Sequence, residues 1–204
     1  MAVRRKASRP PAPAELYTID NLETLKLLAD PLRVEIMQAF AAAPDVAKTV
    51  KQVAQALRAK PTKLYYHVNL LEEHGLLHVA ESRVVSGIIE KSYLPAARSF
   101  TIDSSLVQVT PGGREAVVAT MAALLQTSAA ELAASVAAGA LTRPAGGPPQ
   151  VHVTKSLSRI DPARYGELMA RITQLIDDFD NVYGQASASD ASHALVIACY
   201  PLPR

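Results

Sequence analysis

The sequence holds one cysteine, Cys199, among 204 residues. A single thiol excludes an intramolecular disulfide framework and any zinc site built from several thiolates, and it suits a reducing compartment. Long apolar runs are also missing. The nearest approach, Ala116 to Ala130, is interrupted by Thr120, Gln126, Thr127 and Ser128, short of the roughly 18 apolar residues of a membrane span. The first residues, MAVRRKASRPPAPAE, lack the apolar core of a secretory signal. These absences lead to the expectation of a soluble, cytoplasmic protein. No Gly-rich phosphate loop, Gly-x-Ser-x-Gly elbow or paired-carboxylate motif stands out, which weighs against an enzyme.

What is present fits a folded chain, because 49% hydrophobic and 20% charged residues are ordinary for a globular protein. Net charge is only +2, but its placement is uneven: Lys48, Lys51, Arg58, Lys60 and Lys63 cluster, and no acid lies between Asp45 and Glu72. A basic front half points to a polyanion partner, set against the plainer reading of a solvated charged face.

Residues 1–14 read as a flexible basic arm, with Arg4, Arg5, Lys6 and Arg9 ahead of Pro10, Pro11 and Pro13. A helix is expected after Asp20 or Asn21 and is broken at Asp30-Pro31, where the next begins. A short helix follows over about Thr49–Ala59. Pro61 opens another that ends at Gly75, with Leu64, Val68 and Leu71 as its buried stripe. Leu77–Glu81 and Ile88–Tyr93 read as two strands around a Ser86-Gly87 turn, and Phe100–Thr110 as a further extended piece. Residues 114–138 form an Ala-rich helix with Val117, Met121, Leu124, Leu125, Leu132 and Val136 along one packing side. The stretch 141–150 is a linker by composition. The tail, 151–204, reads as strand, helix and strand, with Asp161-Pro162 starting the helix. The fold class is therefore α+β: a winged helix-turn-helix domain over 15–110, a dimerisation helix over 111–140 and a small β-α-β segment.

Two short helices and a hairpin have the layout of a winged helix, whose second helix enters the major groove. On a helical wheel Thr62, Tyr66 and Asn69 face away from Leu64, Val68 and Leu71, with Lys63 and Tyr65 at the flanks and His67 turned inward. Thr62, Lys63, Tyr65 and Tyr66 are the candidates for base-edge or nearby contacts, with Asn69 beside them.

Three segments in order carry a resemblance: Leu28-Ala29-Asp30-Pro31-Leu32-Arg33, the stretch from Thr62 through Tyr66-His67-Val68 and Leu71 to Gly75-Leu76, and Glu90-Lys91-Ser92-Tyr93. Over about residues 20–100 the chain resembles the ArsR-type winged-helix transcriptional regulators, in their longer, non-metal-sensing form. The resemblance implies a homodimer on double-stranded DNA, usually a repressor released by an effector. It also implies phosphate contacts from the wing, where Arg83 and Lys91 stand, alongside Lys48, Lys51 and Lys60. The family's metal sensors carry cysteines where this chain has Thr49-Val50-Lys51, and the helix 114–138 has no histidine. The expectation is therefore no metal, no cofactor and a small organic effector.

Met121, Leu124, Leu125, Met169, Ile172, Ile176 and Phe179 are candidates for an apolar effector pocket, or for simple dimer and domain core. Cys199 with His193 offers a nucleophile and base for a catalytic tail, against the reading of a packed, unreactive thiol. A winged helix that binds protein rather than DNA is the remaining alternative.

Overall fold

A computed structural model describes residues 12–85, 87–103, 105–108, 111–141, 151–181 and 193–200. The charged arm residues Arg4, Arg5, Lys6 and Arg9, the turn residue Ser86, most of the linker and the end of the tail lie outside them. Local hydrogen bonding explains the front half of the chain. Strand β1 (Ala14–Ile19) leads into helix α1 (Leu22–Leu27), capped by Asn21, whose side chain accepts from the Thr24 N–H at 2.8 Å. Asp30 caps α2 (Pro31–Ala41) by accepting from the Leu32 N–H at 2.9 Å, and Pro31 stands in the first turn, where no N–H is needed. After the short strand β2 (Lys48–Thr49), Thr49 and Gln52 cap each other reciprocally at the start of α3 (Val50–Ala56). That helix is shorter than the expected Thr49–Ala59, because Arg58 adopts φ 51° and turns the chain into α4 (Pro61–Glu73). A non-glycine residue in this left-handed region costs on the order of 1 kcal/mol. Gly75, at φ 72°, closes α4, and the Leu76 N–H reaches back to the Leu71 carbonyl at 2.9 Å.

The chain then forms an antiparallel hairpin of β3 (Leu77–Val85) and β4 (Ile88–Pro95), and β2 pairs with the other edge of β4. A register shift between Val79 and Glu81 marks a bulge in β3. The core lies between α2, α3, α4 and this sheet. Ile36, Phe40, Leu64, Val68, Leu71, Leu76 and Leu77 are completely buried there, and Phe40 meets Tyr93 edge-on at 6.4 Å.

Several expectations are corrected. Pro13 is buried and Ala14 begins β1, so the arm does not extend through residue 14. β1 runs parallel to β5 (Ala97–Ile102), joining the two ends of the domain, with Tyr17 tilted against Phe100 at 5.8 Å. The extended piece expected over Phe100–Thr110 stops at Ile102. Asp103 accepts from the Ser105 N–H at 2.7 Å, and a single helical turn, α5 (Ser105–Gln108), follows. In α6 (Gly113–Ala137) the packed face is not the large apolar side. Gly113, Ala116, Thr120, Ala123 and Thr127 are buried, whereas Met121, Leu124, Leu125, Leu132 and Val136 are exposed. Small side chains let the helix axis come close to α1 and α2, and Thr120 Oγ1 donates to the Leu25 carbonyl at 3.0 Å. By length and composition α6 does reach the dimensions of a membrane span. Its small-residue face is nevertheless part of the first unit of the fold, residues 1–137.

The second unit, residues 138–204, contains α7 (Pro162–Asn181), capped by Asp161, which accepts from the Arg164 N–H at 3.0 Å. The flanking strands of the expected β-α-β segment are absent among the described residues: 151–160 and 193–200 form no ladder. A strand requires a hydrogen-bonded neighbour, which apolar composition alone does not supply. Cys199, expected as a packed thiol, is exposed.

The two faces of α6 generate a prediction. Ala123→Leu should lower the stability of the protein by about 1–3 kcal/mol through overpacking. Leu124→Ala, on the outer face, should change it by less than about 0.5 kcal/mol in dilute solution. Urea denaturation of both variants at low protein concentration checks the pair.

Candidate nucleic-acid interface

Helix α4 is oriented by what it buries. Leu64, Val68 and Leu71 have no exposed surface, so the opposite side must face outward. Thr62, Lys63, Tyr65, Tyr66 and Asn69 are all exposed on that outer side, Tyr66 to 65%. The helical wheel therefore sorted this helix as the structure does. Lys60 precedes the helix as its N-cap, with no side-chain capping bond.

His67 lies at the rim between the two sides. Its Nδ1 is buried without a hydrogen-bond partner and stands 3.7 Å from Asp30 Oδ2. The same Asp30 oxygen lies 3.4 Å from Arg33 Nη1, and Arg33 Nε donates to the Leu27 carbonyl. The Asp30-Pro31-Leu32-Arg33 segment thus joins the α1–α2 corner to the back of α4. Burial holds the His67 imidazole below its ordinary value, the Asp30 carboxylate pulls the other way, and Arg33 and Lys63 lower it further.

The cations expected to meet phosphate differ in their surroundings. Lys48 points into the body, donating to the Ala39 and Phe40 carbonyls at the end of α2, and burial lowers its pKa. That is the position of a cation satisfying helix C-terminal carbonyls. Lys51 Nζ lies 3.0 Å from Glu90 Oε1, and Arg83 Nη2 lies 2.8 Å from Glu90 Oε2. Lys91 holds both oxygens of Glu72 on α4, at 3.0 and 3.1 Å. The hydrogen bond to Glu90 raises the Lys51 pKa, and those from Lys51 and Arg83 lower that of Glu90. Lys60 and Lys63 form no ion pair among the described residues. On β4 itself, burial and the neighbouring Glu72 push the Tyr93 hydroxyl up to about 12.

The sequence reading missed the carboxylates Glu72 and Glu90 as partners of the expected DNA contacts. Only the cross-strand register, which sets Arg83 opposite Glu90, reveals one of them. It also passed over Arg58 as a contact, although that exposed cation sits in the turn between α3 and α4. The effector-pocket candidates divide between the two units. Met121, Leu124 and Leu125 are on the exposed side of α6, so they do not point into the core of the first unit. On α7, Met169 and Ile176 are exposed and Ile172 and Phe179 half-buried. Among the described residues no group of three or more His, Cys, Asp or Glu side chains is arranged to hold a metal ion.

Two helices set by a tight turn, the second presenting a polar, aromatic and basic face, define a helix-turn-helix DNA-binding domain. Residues 28–80 match the protein family described as "Helix-turn-helix domain", a span from the end of α1 into β3. At this coarse level the chain is a DNA-binding transcription regulator. No curated protein matches the chain.

The half-buried imidazole of His67 sets a pH dependence. With its folded pKa lowered, the unfolded chain takes up a proton that the folded chain resists, so stability falls as pH drops through about 6.5 and below. The urea midpoint should decline between about pH 7.5 and 5.5, and the decline should be shallower in His67→Gln. Equal slopes in the two proteins would remove His67 from the account.

Proposed function

We propose that the protein is a homodimeric, site-specific winged-helix regulator of the ArsR-like kind, a repressor released by a small organic effector. The observation that carries the reading is the outer face of α4, where Thr62, Lys63, Tyr65, Tyr66 and Asn69 project together while the opposite side is completely buried. Hydroxyl, amide and aromatic groups at that spacing suit base edges and thymine methyls, and Lys60 and Lys63 suit the flanking phosphates. The β3–β4 hairpin, following directly on α4, is in sequence position to serve as the wing. Support for dimerisation comes from the exposed apolar side of α6, a contiguous set of large side chains on a long helix. The organic effector is carried by the resemblance to the longer regulators and by Thr49-Val50-Lys51, which stand where the metal sensors carry cysteines. An intracellular location follows from the DNA partner.

The test is fluorescence anisotropy with labelled DNA from upstream of the protein's own gene, a scrambled duplex beside it, over a salt series. Selectivity of roughly 1000-fold or more for the upstream fragment is the expected result. Tyr66→Ala should lower that ratio more than Lys60→Ala does. Lys60→Ala should weaken both duplexes alike and reduce the salt slope by about one. No binding to any duplex at low salt would sink the DNA reading and favour a protein-binding winged helix. In the same preparations, Leu125→Asp should shift the protein from dimer to monomer in light scattering.

A further inference from the structure

Glu90 occupies an unusual place among the charges on this face. Its side chain is 14% exposed, whereas those of its partners Lys51 and Arg83 are 62% and 61% exposed. The carboxylate lies beneath and the two cations reach over it into solvent. Each oxygen is used separately: Oε1 accepts from Lys51, and Oε2 accepts from Arg83 Nε at 3.1 Å and from Nη2 at 2.8 Å. The arrangement copies the way two cations grip a phosphate. It joins three elements, since Lys51 belongs to α3, Arg83 to β3 and Glu90 to β4.

Stability is a weak reason for such a triad, because pairs with exposed cations contribute little. Its effect on DNA affinity is larger. Sequence-independent binding grows with the number of phosphates a protein neutralises. One carboxylate against two cations leaves a net charge of +1 where Lys51 and Arg83 alone would present +2. Glu81 also lines the polar cleft at this point, so the surrounding charge does not restore what Glu90 removes.

We infer that Glu90 is an internal stand-in for DNA phosphate, holding Lys51 and Arg83 in the free protein and thereby suppressing sequence-independent DNA binding. Glu90 is then a specificity-determining residue. It lowers the affinity for any duplex that offers only backbone charge, while its grip on α3 and the hairpin keeps the geometry a specific site requires. The inference rests on the DNA-binding reading proposed above.

Glu90→Gln removes the charge and keeps the shape. Its affinity for a mixed-sequence duplex of about 20 base pairs should rise roughly 3- to 10-fold at low salt, and its log–log salt slope should steepen by about one. Unchanged affinity and slope in a variant with the wild-type melting temperature would overturn the inference and leave the DNA reading intact. Weaker binding with a lowered melting temperature would also overturn it, making Glu90 a purely structural tie. If neither protein binds the duplex at about 50 mM salt, the DNA reading itself fails and takes the inference with it. A second comparison leaves Glu90 in place. Lys51→Gln should reduce the wild-type salt slope by clearly less than Lys60→Gln does, because Lys51 is already compensated; equal reductions would count against the stand-in role.

Discussion

The outer face of α4 depends on the burial of one row of side chains. Leu64, Val68 and Leu71 are each completely enclosed by α2, α3 and the sheet, with Ile36, Phe40, Val53, Leu76 and Leu77 around them. Each such side chain contributes about 1.5–3 kcal/mol through removal from water. Turning α4 by one residue about its axis would expose that row and bury Lys63, Tyr65 or Asn69 in its place. The outward projection of the polar and aromatic side chains is thus a consequence of the core, not of any interaction among themselves. The caps at Asn21, Asp30 and Thr49, and the turn at Arg58, then set where each helix of the motif begins.

Around this rigid frame the charges are arranged in opposed pairs rather than as an open basic patch. Lys51 and Arg83 share Glu90, Lys91 holds Glu72, and Lys48 is committed to the end of α2. The contacts run between elements: α3 to β4, β3 to β4, and β4 back to α4. They therefore tie the hairpin to the helices at the same points where it presents cations. A face built this way has fewer free positive charges than a count of lysines and arginines implies; among the described residues, Arg58, Lys60 and Lys63 form no ion pair and stand around the start of α4.

The long helix α6 shows how a face can be misassigned from sequence. Its large apolar residues recur at helical spacing, and area alone makes them the natural choice for packing. The fold instead buries alanine and threonine, because a close approach to α1 and α2 needs small side chains and Thr120 finds the Leu25 carbonyl. In a helix so rich in alanine, both sides are apolar enough to be buried, and periodicity cannot choose between them. The parallel pairing of β1 with β5 was hidden for a different reason. Neither strand carries a regular alternation strong enough to announce itself, and the partners are more than seventy residues apart in sequence. In the tail the apolar runs at 151–153 and 194–200 have the composition of strands, but among the described residues no neighbouring strand completes them.

The sequence by itself determined the helices of the motif, the break at Asp30-Pro31, the start of α4 at Pro61 and its end at Gly75, and the division of α4 into a buried and an outer side. Those properties follow from local rules: proline and capping residues act within a turn, and a 3.6-residue period leaves one apolar stripe. The tertiary structure alone decided which cations are free and which are answered by carboxylates, which side of α6 packs, and how the domain closes through β1 and β5. Such outcomes depend on residues brought together from distant parts of the chain, and ion pairs, helix spacing and strand pairing leave no local periodic trace.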